Sequence, residues 1–507
     1  MNRERGSRLL DRTSDNGTLD KQSALRSLPA VHKLISSHLA AHLIEMYSKK
    51  WVTEAVEEVL SSLRQMWAGD SKPDEAWWKD RISETGIMAS VHNLLKKRTR
   101  PVLREVLNLT GVVIHTNLGR APLSERALNA VSSVARGYSN LEYDLQKGQR
   151  GSRHDLVEQR LCQLTGAQAA MVVNNNAAAV FLVLRELAQG GEAVVSRGEL
   201  VEIGGSFRIP AIMEESGVGL VEVGTTNKTH LADYRRAITE NTKMLLRVHT
   251  SNFRIVGFTE RPALAELAET AKEHGVYLYE DLGSGALIDF RSYGIGDEET
   301  VMQSLRAGVD VVSFSGDKLL GGAQAGIIAG KKDIIGRLKK NQLARMLRVD
   351  KMTLAALEAT LIDSANPDCA PRTIPVPRML TETATAVRER AEVLVKFLHE
   401  ELAGREEALG LQPEEAFGLQ LIEDTGRVGG GALPLEELPS TALELKVKGV
   451  SSQALFDGLR QLGDPPVIGR LVEDRVRLNV RTLLPGEEEI CAHSVAHVVR
   501  QLLHSHA

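Results

Sequence analysis

Cysteine is scarce in this 507-residue chain: Cys162, Cys369 and Cys491 stand alone and far apart. Three isolated thiols exclude a disulfide framework and a thiolate zinc site, and they suit a reducing compartment. No metal centre is expected. No apolar run approaches the ~20 residues needed to cross a bilayer, so no membrane helix is expected either. The first residues, MNRERGSRLLDRTSDNG, lack the apolar segment of a secretory signal. Aromatics make up only 4% of the chain, and the net charge is −4. That balance argues against a uniformly basic nucleic-acid binder but leaves room for a local basic surface. A cytoplasmic globular protein is expected, with length for about three domains at ~150 residues each.

Charge and periodicity locate the domains. Residues 1–100 carry 17 Lys and Arg against 13 Asp and Glu, together with all four tryptophans, Trp51, Trp67, Trp77 and Trp78. Residues 1–25 are polar and aperiodic, which predicts a flexible tail. Leu28, Val31, Leu34, Ile35, Leu39 and Leu43 form one helical stripe, and Val52, Val56, Val59, Leu60, Leu63 and Trp67 form another before the GDSKPD break. A third helix is predicted through Ile82, Ile87, Val91, Leu94 and Leu95, ending in KKRTR before Pro101. Residues 26–100 thus read as a mildly basic helical module.

Beyond it, short apolar runs alternate with amphipathic helices. The runs are AAMVV (169–173), AVVS (193–196), VYLYED (276–281) and VDVVSFS (309–315); AVFLVLRELA and ALAELAETAKEHG are two of the helices. This alternation marks βαβ units and a mostly parallel sheet buried on both faces. The large α/β domain is placed at 101–375, closed by PDCAPRTIPVP. A long helix is predicted from Leu380 to Leu402. Residues 376–507 read as a smaller α+β domain.

Ligands of open α/β sheets bind at the carboxyl ends of the strands. Three such ends carry suitable groups. Asn174, Asn175 and Asn176 lie between a strand and a helix, where free N–H groups and the helix dipole favour a phosphate, although a plain asparagine cap reads the same way. Glu280 and Asp281 end a second strand. Ser313 and Ser315 end a third, followed by Lys318 before Gly321 and Gly322. A strand-end aspartate alone is often a turn residue, and a loop lysine alone is usually solvated. Together they fit pyridoxal phosphate: a lysine amine for the Schiff base, an acid to keep the pyridine nitrogen protonated, and a helix start for the phosphate. Asp281 and Lys318 lie 37 residues apart. Asn175, Asn176 and Ser315 join them as expected cofactor contacts.

At these residues the chain resembles bacterial selenocysteine synthase, the L-seryl-tRNA(Sec) selenium transferase. The resemblance runs through TGVVIHTNLGRAPLS (110–124), GYSNLEYDLQKGQRGSRHD (137–155), VVNNNAAAVFLVL (172–184), SRGELVEIGGSFRIP (196–210), VGTTNKT (223–229), SFSGDKLLGG (313–322), LRVDKMTLAALEATL (347–361) and PPVIGRL (465–471). It implies a fold-type-I pyridoxal phosphate large domain, with Lys318 as the cofactor lysine and Asp281 as the pyridine partner. It also implies seryl-tRNA(Sec) as substrate and selenophosphate as donor. The implied chemistry is β-elimination of the serine hydroxyl from a cofactor aldimine, then selenium addition to the aminoacrylate. A ring-shaped homodecamer of dimers is implied as well, with sites at dimer interfaces and the helical module on the tRNA.

Arg345 and Arg348, three apart in QLARMLRVD, would share a helix face and hold an anionic donor in bidentate fashion. Arg120 in HTNLGR and Arg153 in RGSRHD are further anion candidates, with a surface ion pair as the plain alternative for Arg153. His115 and His249 read as structural hydrogen-bonders. Ala323 and Gln342 stand where the family leads us to expect proline, which bears on loop rigidity beside Lys318 and Arg345. Two other readings remain: a pyridoxal phosphate lyase or transferase acting on a free amino acid, and a non-catalytic RNA-binding scaffold. Retention of both Lys318 and Asp281 argues against the scaffold.

Overall fold

The computed structural model describes residues 21–66, 75–205, 207–403 and 417–506. Residues 1–20 of the expected tail, Trp67 and the GDSKPD break lie outside the described residues. The chain divides into two compact units, Met1–Arg104 and Glu105–Ala507.

The first unit is all helical: α1 (Lys21–Arg26), α2 (Val31–Ile35), α3 (His38–Tyr47), α4 (Lys49–Met66), α5 (Glu75–Ile82) and α6 (Glu84–Thr99). Its core is built from the predicted stripes, including Leu34, Leu43, Val52, Val56, Leu60, Leu63, Ile87, Val91 and Leu95, with Trp78 buried among them. Two serines divide what periodicity alone runs together. Ser37 Oγ accepts from Ala40 N at 3.2 Å and starts α3; Ser83 Oγ accepts from Gly86 N at 2.9 Å and starts α6. The Leu28–Leu43 stripe is therefore two helices with Leu39 exposed, and the helix predicted through Ile82 and Ile87 is broken between them. The predicted tail also ends early, because α1 begins at Lys21 and buries Ala24. Helix α6 stops at Thr99, before Pro101, as proline geometry requires.

In the second unit β1 (Ala169–Val173), β2 (Glu192–Ser196), β3 (Gly219–Val223), β4 (Thr242–Val248), β5 (Tyr277–Gly283), β6 (Val311–Ser315) and β7 (Gly326–Gly330) form a seven-stranded sheet. Its order is β1-β7-β6-β5-β4-β2-β3. All pairings are parallel except those of β7, which runs antiparallel to both β6 and β1. Separate apolar clusters cover the two faces, so the central strands are apolar at nearly every position. The expected strands and mostly parallel sheet are present.

A four-stranded antiparallel sheet follows: β8 (Phe417–Arg427), β9 (Glu437–Val447), β10 (Arg470–Val472) and β11 (Arg475–Asn479), in the order β8-β9-β11-β10. The helix Ala384–Leu402 packs on it. That helix starts four residues later than predicted, capped by Thr383 and preceded by the short helix Pro375–Thr381. Leu107–Asn108 pairs in parallel with Val467–Ile468, and Val112 bridges to Arg427. Leu107 and Leu109 belong to the core of the C-terminal sheet. Residues 107–112, which the sequence assigned to the large domain, therefore run with the C-terminal part, and no division between compact units falls at 375. This pairing brings two loops, 114–120 and 428–433, to the carboxyl ends of the large sheet.

Candidate active site

At the end of β1 the chain turns sharply into helix α7 (Asn176–Ala188). Asn175 Oδ1 accepts from Ala178 N at 2.9 Å, so Asn175 is the helix cap. The turn packs so closely on β7 that a Cβ on Gly326 would stand 2.0 Å from the Asn175 carbonyl oxygen. Only glycine fits there. Asn176 lies at the first position of α7 and turns its side chain elsewhere: its Nδ2 donates to Asp281 Oδ1 at 2.8 Å.

Asp281 stands at the end of β5, where the pairing with β6 slips between Asp281 and Gly283. It is buried, and burial pushes its carboxyl up; the Asn176 hydrogen bond, Lys318 and His249 oppose that. Ser315 is buried at the end of the neighbouring strand β6. Three residues on, Lys318 is buried as well. Burial lowers its ammonium, as does Arg120, while Asp281, Asp317 and Glu298 pull the other way. The net direction favours the neutral amine, the nucleophilic form. Lys318 Nζ lies 3.5 Å from the point where a Cβ on Gly431 would stand, and Ser251 Oγ lies 3.4 Å from the same point. The glycine strap of the C-terminal part thus crosses directly over the lysine.

The arginines are placed differently from the expectation. Helix α8 (Gln342–Met346) holds Arg345 but ends before Arg348, so the two do not share a helix face. Arg348 instead reaches Glu142 at 3.6 Å. Arg153 also bonds to Glu142, through Nε at 3.1 Å, and to the Val349 carbonyl. Glu142 thereby gathers Arg153 and Arg348; the Arg153 hydrogen bond, with the charges of Arg153, Arg150 and Arg348, holds its carboxyl below the usual range. Leu347 accepts from Asn174 N at 2.8 Å, which ties this segment to the asparagine turn. Arg120 pairs with Asp317 at 2.8 Å, and its backbone is left-handed at φ 65°. Gln342 occupies the first turn of α8 behind the Asn341 cap, a position where proline and glutamine both fit. Ala323 packs beside Ala127, Ala356 and Ala359.

Several groups escaped the sequence reading. Asp317 sits beside the lysine and orients Arg120. His249 donates its backbone N–H to the Asp281 carbonyl at 2.9 Å, and its Nε2 lies 3.2 Å from Glu298 Oε1. Among the described residues, Asn176 Oδ1, His249 Nδ1, Ser251 Oγ and Ser284 Oγ are buried without a hydrogen-bond partner. Unpaired buried polar atoms are costly, so a cluster of them around one acid and one amine marks a place built for a polar guest. Such atoms have no sequence signature; only the fold collects them. On the far side of β5 from Asp281, Glu280 faces a cavity of about 380 Å³ that His249, Glu298 and Arg247 also line. No group of three metal-ligating side chains occurs among the described residues. The set of amine, acid, helix start and unpaired polar atoms fits a pyridoxal-type aldehyde carrying a ring nitrogen and a phosphate.

Residues 106–484 match the family model described as L-seryl-tRNA selenium transferase. The chain is 46% identical over 487 residues to the L-seryl-tRNA(Sec) selenium transferase of Moorella thermoacetica, covering 96% of this chain and 99% of that one. It is 53% identical over 398 residues to the enzyme of the same name from Desulfovibrio desulfuricans, covering 78% and 81%. Among solved structures, D-glucosaminate-6-phosphate ammonia-lyase matches at a TM-score of 0.53 and 18% identity, over 80% of this chain and 100% of that one. The last likeness speaks to the fold alone.

Proposed function

The chain belongs to the L-seryl-tRNA selenium transferase family, and from that premise we propose that it converts seryl-tRNA(Sec) to selenocysteinyl-tRNA(Sec), using selenophosphate and pyridoxal phosphate carried on Lys318. The observation that carries this reading is the buried pair at adjacent strand ends, Asp281 held by Asn176 and the Lys318 amine under the Gly431 strap. When bound, pyridoxal phosphate supplies an electron sink for the pair left as the serine α-proton departs. Asp281 would be the partner of the ring nitrogen, where an ionised carboxyl would favour the protonated ring. Asn175 orders the helix start that receives the phosphate, with Ser315 beside it. Lys318 would hold the cofactor aldehyde through Nζ, and the same amine would serve as the base for the α-proton; its lowered affinity for protons suits that task.

Arg120, Arg153, Arg345 and Arg348 form the anion side. Asp317 and Glu142 hold three of these guanidiniums in place, which lowers the entropy lost when an oxyanion binds. The decamer of dimers is proposed on family membership alone. The tRNA is assigned to residues 26–100, where Trp51 and Trp77 are exposed and α6 ends in Lys96, Lys97 and Arg98. A cytoplasmic setting accords with three free thiols.

The test is conversion of seryl-tRNA(Sec) with selenophosphate beside a free-serine control. Borohydride reduction should fix the cofactor to Lys318 and to no other lysine. Turnover of free serine alone would favour the lyase reading, and a colourless protein that takes up no pyridoxal phosphate would favour the scaffold.

A further inference from the structure

Three guanidiniums share one carboxylate at the base of a short hairpin. The hairpin pairs Tyr143–Asp144 with Gln149–Arg150, and the Gly151 N–H closes its base on the Glu142 carbonyl at 3.0 Å. Glu142 Oε1 accepts from Arg153 Nε at 3.1 Å and lies 3.6 Å from Arg348 Nη1. Glu142 Oε2 accepts from Arg150 Nη2 at 3.4 Å. Among the described residues these three arginines have no other acidic partner. Guanidiniums keep their charge in proteins, so one negative group faces three positive ones. Arg153 is largely buried, whereas Glu142, Arg348 and Arg150 reach solvent, where a dissolved anion can approach them.

The arginines do not depend on Glu142 to stay together. Arg153 Nη1 donates to the Val349 carbonyl, next to Arg348, and that bond survives if the glutamate side chain leaves. The same segment reaches the cofactor turn, because the Leu347 carbonyl accepts from Asn174 N at 2.8 Å. Among the described residues the Glu142 carboxylate is held by these ion pairs alone, so it can rotate away while its backbone stays in the hairpin.

We propose that Glu142 is the internal counter-ion of the donor-anion site: its carboxylate occupies Arg150, Arg153 and Arg348 while the site is empty, and a doubly charged tetrahedral oxyanion displaces it. The inference rests on the assignment of Arg153 and Arg348 to the anion side, and it adds Arg150 to them. A carboxylate brings one charge and two oxygens in a plane. A phosphate-type group brings close to two charges at neutral pH and at least three oxygens, which suits guanidiniums arriving from three directions. Glu142 thus acts in two opposed ways: it keeps the guanidiniums converged, and it competes for them. With positive charge in surplus and Arg153 anchored on Val349, competition is the larger effect.

The experiment titrates inorganic phosphate into the full-length, pyridoxal phosphate-loaded protein by calorimetry at pH 7.5 and low salt, so that the cofactor's own phosphate turn is already filled. Glu142→Gln and Glu142→Ala should each bind phosphate about fivefold tighter than the wild type or better, and either one serves if the other folds poorly. Glu142→Asp, which keeps the charge, should stay nearer the wild type. Arg153→Gln should bind about tenfold weaker. Unchanged or weaker binding in both neutral variants would overturn the inference and make Glu142 a brace only, while a loss in Arg153→Gln would still uphold the anion site. Equal binding by the wild type and Arg153→Gln, or no phosphate binding by any of these proteins, would overturn both. Affinity for seryl-tRNA(Sec), measured by filter binding, separates a free anion from an RNA backbone. It should be unchanged in Glu142→Gln; tightening by the same factor as phosphate would overturn the inference and assign the arginines to the RNA.

Discussion

A carboxylate stripped of water must replace the lost hydration with donors, and the residues around Asp281 show how thin that supply is. Asn176 Nδ2 is its one direct side-chain donor among the described residues, at 2.8 Å. Asn176→Ala should cost about 1.5–3 kcal/mol in the cofactor-bound state, a roughly ten- to hundredfold rise in the pyridoxal phosphate dissociation constant. Thermal stability of the cofactor-free chain should change far less. Glu280, one residue earlier, stands in the opposite condition: burial pushes its carboxyl up to about 7. The folded chain keeps a proton there that the unfolded chain releases near 4.5, so stability is lost as pH rises between these values and is not regained above. Glu280→Gln, neutral at every pH, should match the wild type near pH 4.5 and melt higher at pH 8, by on the order of 3 kcal/mol. Thermal melts at the two pH values check this.

Lys318 and Asp281 were legible in the sequence because strand ends announce themselves by the apolar run before them. The role of Asn176 was not: the run of three asparagines predicts a cap, and which of them leaves the cap to reach Asp281 depends on χ angles that no spacing encodes. Arg345 and Arg348 misled for a related reason. A three-residue spacing means a shared face only while the helix lasts, and α8 ends at Met346.

At the scale of elements, β1, β2, β5 and β6 were legible because burial on both faces leaves nearly continuous apolar runs, whereas β3, β4 and β7 were not named from the sequence, and helix boundaries in the first unit were missed where Ser37 and Ser83 interrupt an unbroken stripe. The close packing of β1 on β7 sets the Asn175–Asn176 turn. A Cβ on Gly326 would meet backbone, the Asn175 carbonyl oxygen at 2.0 Å and carbon at 2.4 Å, and backbone cannot step aside as a side chain can. Gly326→Ala should push the Asn175–Asn176 turn off β7, lowering both cofactor affinity and melting temperature. Gly336→Ala is the matched control: Gly336 lies inside the helix Lys332–Lys340 with open space where a Cβ would go. That change should raise stability by about 0.5–1 kcal/mol and leave cofactor affinity alone.

At the scale of the whole molecule, the pairing of residues 107–112 with strands more than 300 residues later is what no local reading recovers, because a two-residue ladder has no periodicity to detect. Its consequence is mechanical. The loop carrying Arg120 and the strap carrying Gly431 are fastened to each other by the Val113 and Ile114 N–H bonds to Arg427 and Val428, at 2.9 and 2.8 Å. Both then reach the end of β6, Arg120 at Asp317 and Gly431 at Lys318. Arg481, buried in the C-terminal part, donates to the carbonyls of Met379 and Glu382, which seals the junction where the sequence placed a boundary. Two truncations therefore separate the alternatives. A chain lacking residues 1–100 should retain pyridoxal phosphate and unfold in one transition, while its affinity for seryl-tRNA(Sec) falls by at least tenfold. Coexpressed fragments split between 375 and 376 should be insoluble apart and bind cofactor only when reassembled, because Leu107 and Leu109 would otherwise expose the apolar surface they bury against Val467 and Leu478. A soluble, folded fragment 101–375 on its own would show that the C-terminal sheet is an appendage, and unchanged tRNA affinity in the shorter chain would move the nucleic-acid surface onto the catalytic unit.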